Sequence, residues 1–253
     1  MAYPYIDTKL RRAVNLLDDI YYGREEKNVT AESVFTTRET KDIEARQSTL
    51  NIKTPTSVAV IGVGGVGMWV ALQMALSGVD KIMLVDPDVV ERSNLNRTMF
   101  RITDVGKPKV EAVMELILER RYCDITPVRE RVENIGLDIF KDYEVIVDCK
   151  DNAEPLDPEL QKKCKITGGY DGMNITMHIN PSGDSTWGES SSYTIVPSWL
   201  IPPTLIACII TTYLLASRPR TKEFIHNFNI KDLIRTILAV PESKVKEVTD
   251  ATV

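Results

Sequence analysis

The chain has 253 residues, of which 43% are apolar and 26% are charged, so it can bury the core of one good-sized domain. Its net charge of −5 implies no basic face, which excludes a general nucleic-acid binder. The 4 cysteines are far apart and form no C-x-x-C pair, which argues against a disulfide framework or a zinc site and fits a reducing cytoplasm.

Secretion and membrane insertion are not expected. The first residues, MAYPYIDTKLRR, lack the apolar stretch of a secretory signal. The most apolar run, from Leu205 to Ser217, is shorter than the stretch of about 20 residues that a helix needs to cross a bilayer. We therefore expect a cytoplasmic protein without a membrane partner, and a buried helix at this run.

Helical and strand patterns alternate along the chain. Residues 8–22 have apolar side chains at helical spacing, and the polar stretch from Gly23 is predicted to be an extended arm or linker. The strands predicted after it are SVAVI, KIMLVD, DITPV, EVIVD, KITG and NITMHI, and the helices are GMWVALQMALSGV, KPKVEAVMELILERRY and the run that starts at Leu205. This alternation predicts a Rossmann-like, doubly wound α/β fold with a mainly parallel sheet and helices on both faces.

The same patterns divide the chain into three parts. Residues 1–54 are predicted to form an N-terminal helix and arm, residues 55–217 the Rossmann-like domain, and residues 218–253 a short C-terminal tail. The tail sequence EFIHNFNIKDLIRTILAV is predicted to be helical.

A glycine cluster follows the first strand of the Rossmann-like domain. Gly62, Gly64 and Gly67 fit G-x-G-x-x-G, with Gly65 as an extra glycine. The first glycine allows a tight turn, the second lets a phosphate approach the backbone, and the third lets helix and strand pack closely. Asp86 ends the next strand, where an acid can accept hydrogen bonds from ribose hydroxyls. The pattern predicts a nucleotide site but does not separate ATP from NAD, and its alternative is a packing turn without a ligand.

Three polar side chains after Asp86 favour a triphosphate. Asn94 and Arg97 are three residues apart, so one helical turn would put an amide and a guanidinium on the same side. Arginine suits bidentate phosphate contacts. Lys109 begins a helix, where a cation is unfavourable unless an anion lies nearby. Taken singly, Arg97 fits a surface ion pair and Lys109 a solvated side chain equally well.

Two aspartates, Asp148 and Asp151, lie at the end of the strand EVIVD and just after it. Ligands of doubly wound sheets bind beyond the carboxyl ends of the strands, and a carboxylate beside a polyphosphate is placed to hold Mg²⁺. Asp151 lies past the strand end and is the predicted metal ligand, whereas Asp148, inside the apolar run, is expected to cap or support. The alternative role for Asp151 is a helix N-cap.

Four sequence blocks stand in the order and spacing of a known family: GVGGVG, LVDPDVVERSNLNR, DVGKPKVEA and VIVDCKDN. From about Val58 to Asn152 the chain therefore resembles the ThiF/MoeB (HesA-like) adenylating enzymes. The resemblance implies a dimer that uses MgATP to adenylate the C-terminal carboxylate of a ubiquitin-like or sulfur-carrier protein or peptide. It also implies roles for single residues: Gly64, Gly65 and Gly67 at the phosphates, Asp86 at the ribose, Asn94, Arg97 and Lys109 at the triphosphate, and Asp151 at Mg²⁺. Catalysis by Arg97, Lys109 and Asp151 would then consist of positioning and charge neutralisation.

The chain departs from this family in several places. Thr98 replaces the glutamine of the family's NRQ, and Lys150 replaces the threonine of DCTDN. The region before the last apolar helix has no cysteine, whereas relatives that carry their substrate onward have a catalytic one there. We therefore expect adenylation without a thioester step.

The remaining cysteines and histidines are expected to have no catalytic role. Cys208 is predicted to be inert packing in an apolar helix, and Cys164 a surface cysteine without a role. The alternative for Cys164 is a thiol nucleophile, since neighbouring lysines can lower the pKa of a thiol. His178 and His226 have no companion ligands or acids in the sequence and are expected to be structural.

Two points stay open at the level of sequence. In the family an arginine of the N-terminal segment can reach the partner's ATP, and both Arg38 and Arg46 lie in that segment. One alternative function is a non-catalytic subunit of a heterodimeric activating complex. The other is an NAD(P)-dependent oxidoreductase, which leaves four residues without a role: Asn94, Arg97, Lys109 and Asp151.

Overall fold

The computed structural model describes residues 44–50, 52–151, 155–181, 198–216 and 223–238. The helix predicted at 8–22, most of the arm that follows it, and Arg38 lie outside the described residues. The division of the chain into three parts stays a prediction.

In the described residues, seven strands form one sheet in the order β3-β2-β1-β4-β5-β6-β7. The strands are β1 Ser57–Ile61, β2 Lys81–Val85, β3 Asp124–Val128, β4 Val145–Asp148, β5 Cys164–Asp171, β6 Asn174–Ile179 and β7 Phe224–Asn229. Strands β1 to β5 run parallel to one another, β6 is antiparallel to β5, and β7 is antiparallel to β6. The predicted mainly parallel sheet is confirmed.

Helices lie on both faces of this sheet, as predicted. They are α1 Gly67–Leu76, α2 Lys109–Leu118, α3 Pro158–Lys163, α4 Ile201–Leu215 and α5 Ile230–Leu238. Buried side chains of α1, α2 and α4 share one core with the sheet, and Leu160 of α3 belongs to a second core on the other face together with residues of two 3₁₀ turns. No helix in the described part of the chain is long and apolar enough to span a bilayer.

The central strand β1 shows why the residues from Val58 to Ile61 are all apolar. Val58 and Val60 point into the core beneath α1, and Ala59 and Ile61 point into the core on the opposite face. A strand covered on both faces needs apolar side chains at consecutive positions rather than at alternate ones.

The sheet reverses its order at β1. Strand β2 pairs with one side of β1 and β4 pairs with the other. Connections therefore leave β1 and β4 in opposite directions, which opens a crevice beyond their carboxyl ends. The loop after β1, the loop after β2 and the residues after β4 all meet there.

The helical prediction for the C-terminal tail is wrong over residues 224–229. These residues form β7, which pairs with β6 from Phe224 opposite Ile179 to Asn229 opposite Asn174, and helix begins only at Ile230. The free edge of β6 offers backbone partners that outweigh the weak local preference of the segment.

Candidate nucleotide-binding site

The glycine turn joins β1 to α1. Gly62 has a φ of +77°, and its amide donates to the carbonyl of Val85 at 2.7 Å. A Cβ added to Gly62 would lie 2.7 Å from the backbone nitrogen of Lys150, and one added to Gly67 would lie 1.8 Å from the carbonyl oxygen of Gly62. Both positions therefore exclude a side chain, because only backbone at this spacing fits between β1, β4 and α1.

The middle of the turn is open on one side and bordered on the other. A Cβ added to Gly64 would meet no atom within 4 Å. One added to Gly65 would lie 2.9 Å from the hydroxyl of Tyr170 and 3.5 Å from Nε of Arg97. The turn thus presents free space at Gly64 and two polar side chains beside Gly65. The sequence prediction of the KITG strand stopped at Gly168 and missed Tyr170.

Asp86 links the end of β2 to this turn. The residue is 5% exposed, and its Oδ2 accepts from the amide of Val63 at 2.8 Å while Oδ1 accepts from the amide of Asp88 at 2.9 Å. Burial raises the pKa of Asp86, and the nearby Lys109 opposes that shift. Each carboxylate oxygen has a second lone pair, so Asp86 can hold the turn and still accept a hydrogen bond from a hydroxyl group.

Lys109 has the anions that its place at a helix start requires. Its ammonium lies 2.7 Å from Oδ2 of Asp88 and 3.9 Å from Oδ1 of Asp86. The Asp88 side chain is 62% exposed, so this ion pair is worth little and can be exchanged for a stronger anion. Lys109 is therefore an ion-paired side chain rather than a solvated one.

Asn94 and Arg97 are one turn apart, since the amide of Arg97 donates to the carbonyl of Asn94 at 3.2 Å, but their side chains have different partners. Asn94 closes a 3₁₀ turn, where its Oδ1 accepts from the amide of Glu91 at 3.0 Å, and the residue is 8% exposed. The guanidinium of Arg97 donates to Oδ1 of Asn96 at 3.1 Å and to the carbonyl of Ser93, and it lies beside the glycine turn. The structure thus brings Arg97 to the turn and gives Asn94 a capping role.

Asp148 and Lys150 form a buried pair at the end of β4. Oδ1 of Asp148 accepts from the amide of Lys150 at 3.1 Å, and the ammonium of Lys150 lies 3.5 Å from Oδ2. Burial raises the pKa of Asp148 to about 6, against the attraction of Lys150. These contacts match the supporting role expected of Asp148.

Asp151 is exposed beyond the end of β4. The N-cap of α3 is Asp157, whose Oδ1 accepts from the amide of Glu159 at 2.8 Å, so Asp151 does not cap that helix. Within the described residues no three His, Cys, Asp or Glu side chains cluster as a metal site. Mg²⁺ held by one carboxylate and by phosphates needs no such cluster.

The raised pKa of Asp148 predicts a pH-dependent cost to folding. The folded carboxyl has a pKa of about 6, against 3.8 for an unperturbed aspartate. Between those values the folded state keeps a proton that the unfolded state releases, so the contribution of Asp148 to stability falls as the pH rises towards about 6. We expect the unfolding free energy of Asp148→Asn, measured by urea titration, to rise relative to that of the parent between pH 4 and pH 7. A difference that stays constant over that range would contradict the shift.

Two cysteine predictions are wrong. Cys164 is not on the surface: it is 3% exposed at the start of β5, and burial raises the pKa of its thiol to about 12. Cys208, predicted to be buried packing, is exposed on α4, where Nε2 of Gln73 donates to its sulfur at 3.4 Å. An apolar helix sequence does not show which of its sides faces the sheet.

The prediction that His178 has no acid partner is also wrong. His178 is 5% exposed, and its Nε2 lies 2.6 Å from Oε1 of Glu223, which precedes β7. The two residues are far apart in the sequence, and the pairing of β7 with β6 brings them together.

Arg46 lies at the far end of α1 from the glycine turn of its own chain. It is exposed, and the side-chain amide of the adjacent Gln47 donates to the carbonyl of Ser77, just after α1, at 3.1 Å. Nearby, Glu44 pairs with the buried Arg121 at 2.8 Å, which anchors this segment. The choice between Arg46 and Arg38 stays open, since Arg38 is outside the described residues.

The fold and the site together define an α/β protein with a nucleotide-type glycine turn at the reversal point of its sheet. Residues 39–168, about half of the chain, match the ThiF family model, and the chain belongs to the ThiF family.

Curated relatives match over a shorter stretch. The NEDD8-activating enzyme E1 catalytic subunit of Arabidopsis thaliana is 37% identical over 99 residues, which are 38% of this chain and 22% of that protein. The adenylyltransferase and sulfurtransferase uba4 of Emericella nidulans is 42% identical over 104 residues, 38% of this chain and 20% of that protein. The chain thus aligns with about a fifth of the length of these relatives.

Solved structures agree on the fold. PaaA superposes with a TM-score of 0.56 at 21% identity, covering 88% of this chain and 82% of PaaA. E. coli MccB, solved with succinimide, superposes with a TM-score of 0.52 at 20% identity, covering 69% of this chain and 64% of MccB.

Proposed function

We propose that this protein is a MgATP-dependent adenylyltransferase that activates the C-terminal carboxylate of a ubiquitin-like or sulfur-carrier protein or peptide. The observation that carries this proposal is the glycine turn, with free space at Gly64, Arg97 beside Gly65, and Asp86 bonded to the amide of Val63. Family membership supports it, as do relatives named as a NEDD8-activating enzyme and an adenylyltransferase.

In this proposal each element of the crevice has one task. The turn of Gly62, Gly64, Gly65 and Gly67 brings its backbone to the phosphates, and Asp86 accepts from the ribose. Arg97 and Lys109 neutralise the triphosphate, with Asn94 fixing the turn that precedes Arg97. Asp151 is the carboxylate that would hold Mg²⁺, which supplies positive charge to the phosphates when bound.

The reaction needs no proton transfer in this site. A carboxylate oxygen of the acceptor attacks the α-phosphorus, the bond to the bridging oxygen breaks, and pyrophosphate leaves with the electron pair. The protein therefore contributes alignment and charge neutralisation. Lys109 would give up its exposed contact with Asp88 for a phosphate oxygen, a stronger and less solvated partner.

Three of the four cysteines support adenylation without a thioester. Cys123 and Cys164 are buried and Cys149 is partly buried, and burial raises the pKa of each of these thiols, to about 12 for Cys123 and Cys164. A thiol with so high a pKa is a poor nucleophile at neutral pH. Cys208 is the exposed one of the four. We further propose that the protein acts as a dimer in the cytoplasm, with Arg38 or Arg46 reaching the partner's nucleotide.

Calorimetric titration with MgATP, NAD⁺ and NADP⁺ tests the proposed ligand. We expect MgATP to bind, and Arg97→Ala to weaken its binding at least about tenfold because a charge-assisted contact is lost. Arg235→Ala is the matched control, since Arg235 is exposed on α5 and its ion pair within the described part of the chain is with Asp232 of the same helix. Binding of NAD⁺ without an ATP signal would favour the oxidoreductase instead. ATP binding without pyrophosphate exchange for any carboxylate acceptor would favour a non-catalytic subunit.

A further inference from the structure

Tyr170 is the feature of the crevice to which neither the glycine motif nor the predicted site assigns a role. Its hydroxyl and Nε of Arg97 both lie within 3.5 Å of the point where a Cβ of Gly65 would stand. One hydroxyl donor and one guanidinium thus border the same glycine of the turn.

Strand β5 explains how Tyr170 reaches this place. Thr167 of β5 stands opposite Asp148, the last residue of β4, and β5 continues past that level to Asp171. Tyr170 lies on the same side of β5 as Gly168, which packs against Ile206 and Ile210 of α4. Its ring is partly buried against the core that α1 and α4 share with the sheet. The hydroxyl is therefore held by a rigid side chain above the start of α1.

The surroundings of the hydroxyl suit an anion. Among the described residues the Tyr170 hydroxyl makes no hydrogen bond, so its proton is available. Helix α1 has no side-chain cap at its N-terminus and no acidic residue in its first turn. The amide of Met68 donates to the carbonyl of Gly64 at 3.2 Å, and the positive end of the helix dipole faces the same space as Tyr170 and Arg97.

We propose that the Tyr170 hydroxyl donates a hydrogen bond to a phosphate oxygen of the bound nucleotide, beside Arg97. This inference rests on the proposed function and adds a phosphate-binding residue to it. Tyrosine suits the task because a ring with two side-chain torsions loses little conformational freedom on binding. A hydrogen bond to a charged phosphate is stronger than one between neutral groups.

The test is Tyr170→Phe, which removes the hydroxyl and keeps the ring. Calorimetry should show about tenfold weaker binding of MgATP, the usual loss for one hydrogen bond to a charged group. The affinity for adenosine, which has no phosphate, should not change; protein-observed NMR measures it. Tyr143→Phe is the control, since the Tyr143 hydroxyl bonds Oγ1 of Thr126 at 3.3 Å in the core of the opposite face.

The outcomes separate this inference from the proposed function. If the parent protein binds adenosine and MgATP equally tightly, or binds neither, both the proposed function and the role of Tyr170 are refuted. If the parent binds MgATP and Tyr170→Phe binds it equally well, only the role of Tyr170 is refuted. Equal weakening of adenosine and MgATP would mean that Tyr170 merely supports the turn, and it would also refute the hydroxyl contact.

A second variant checks the geometry independently of any ligand. The added methyl of Gly65→Ala would stand 2.9 Å from the Tyr170 hydroxyl, so it must push that hydroxyl aside. We expect Gly65→Ala to lower the thermal unfolding midpoint in the parent and to lower it less in Tyr170→Phe, because neighbouring changes couple. An equal loss in both backgrounds would show that the hydroxyl does not lie over Gly65.

Discussion

Gly67→Ala is expected to leave little folded protein. The new Cβ would lie 1.8 Å from the carbonyl oxygen of Gly62 and 3.2 Å from Cβ of Cys149. Neither neighbour can move freely, because the Gly62 and Cys149 amides are bonded at 2.7 Å to Val85 and Ile61. Helix α1 would have to shift away from β1 and β4, and overpacking of this kind costs about 3 kcal/mol or more. That is a large share of the stability of an ordinary domain.

Urea unfolding followed by circular dichroism measures this effect. The matched control is Gly136→Ala, because a Cβ at Gly136 would meet no atom within 4 Å and its φ of −63° suits alanine. Its unfolding free energy should stay within about 0.5 kcal/mol of the parent. An unfolding midpoint for Gly67→Ala equal to that of Gly136→Ala would show that the close contact of α1 with the glycine turn is wrong.

Asp151→Ala should separate activity from folding. If Asp151 holds Mg²⁺ on the phosphates of ATP, its loss should lower Mg²⁺-dependent ATP turnover at least about 100-fold, since even indirect support of a metal is worth about 10- to 100-fold. The fold should survive, because Asp151 is exposed and substitutions at such positions change stability by about 0.5 kcal/mol or less.

Pyrophosphate exchange over a range of Mg²⁺ concentrations provides the readout, with thermal unfolding as the check on the fold. Asp138→Ala is the control, an exposed aspartate in a 3₁₀ turn whose ion pair, among the residues that the structure describes, is with Lys141. Full exchange activity in a folded Asp151→Ala would rule out the metal role. Loss of exchange in Asp138→Ala as well would mean that the assay follows general stability rather than the metal.

The sequence alone determined those features that depend on neighbouring residues. The predicted strands DITPV and SVAVI coincide with β3 and β1. Both have β-branched residues between turns, which favour strands, and β1 is the one of the two that is buried on both faces. The glycine spacing predicted the turn between β1 and α1, and the four sequence blocks indicated the ThiF family to which the chain belongs. Each of these signals is read within a short stretch of consecutive residues.

The tertiary structure alone decided which distant residues meet. Strand β7 and the pair of His178 with Glu223 follow from pairing at the free edge of β6, which no local pattern shows. The burial of Cys164 and the exposure of Cys208 depend on which side of an element faces the sheet. Tyr170 reaches the glycine turn because β5 extends beyond the end of β4, and the register of paired strands cannot be predicted from the sequence. Long-range pairing and packing set these positions, since their free energy arises only when separate segments come together.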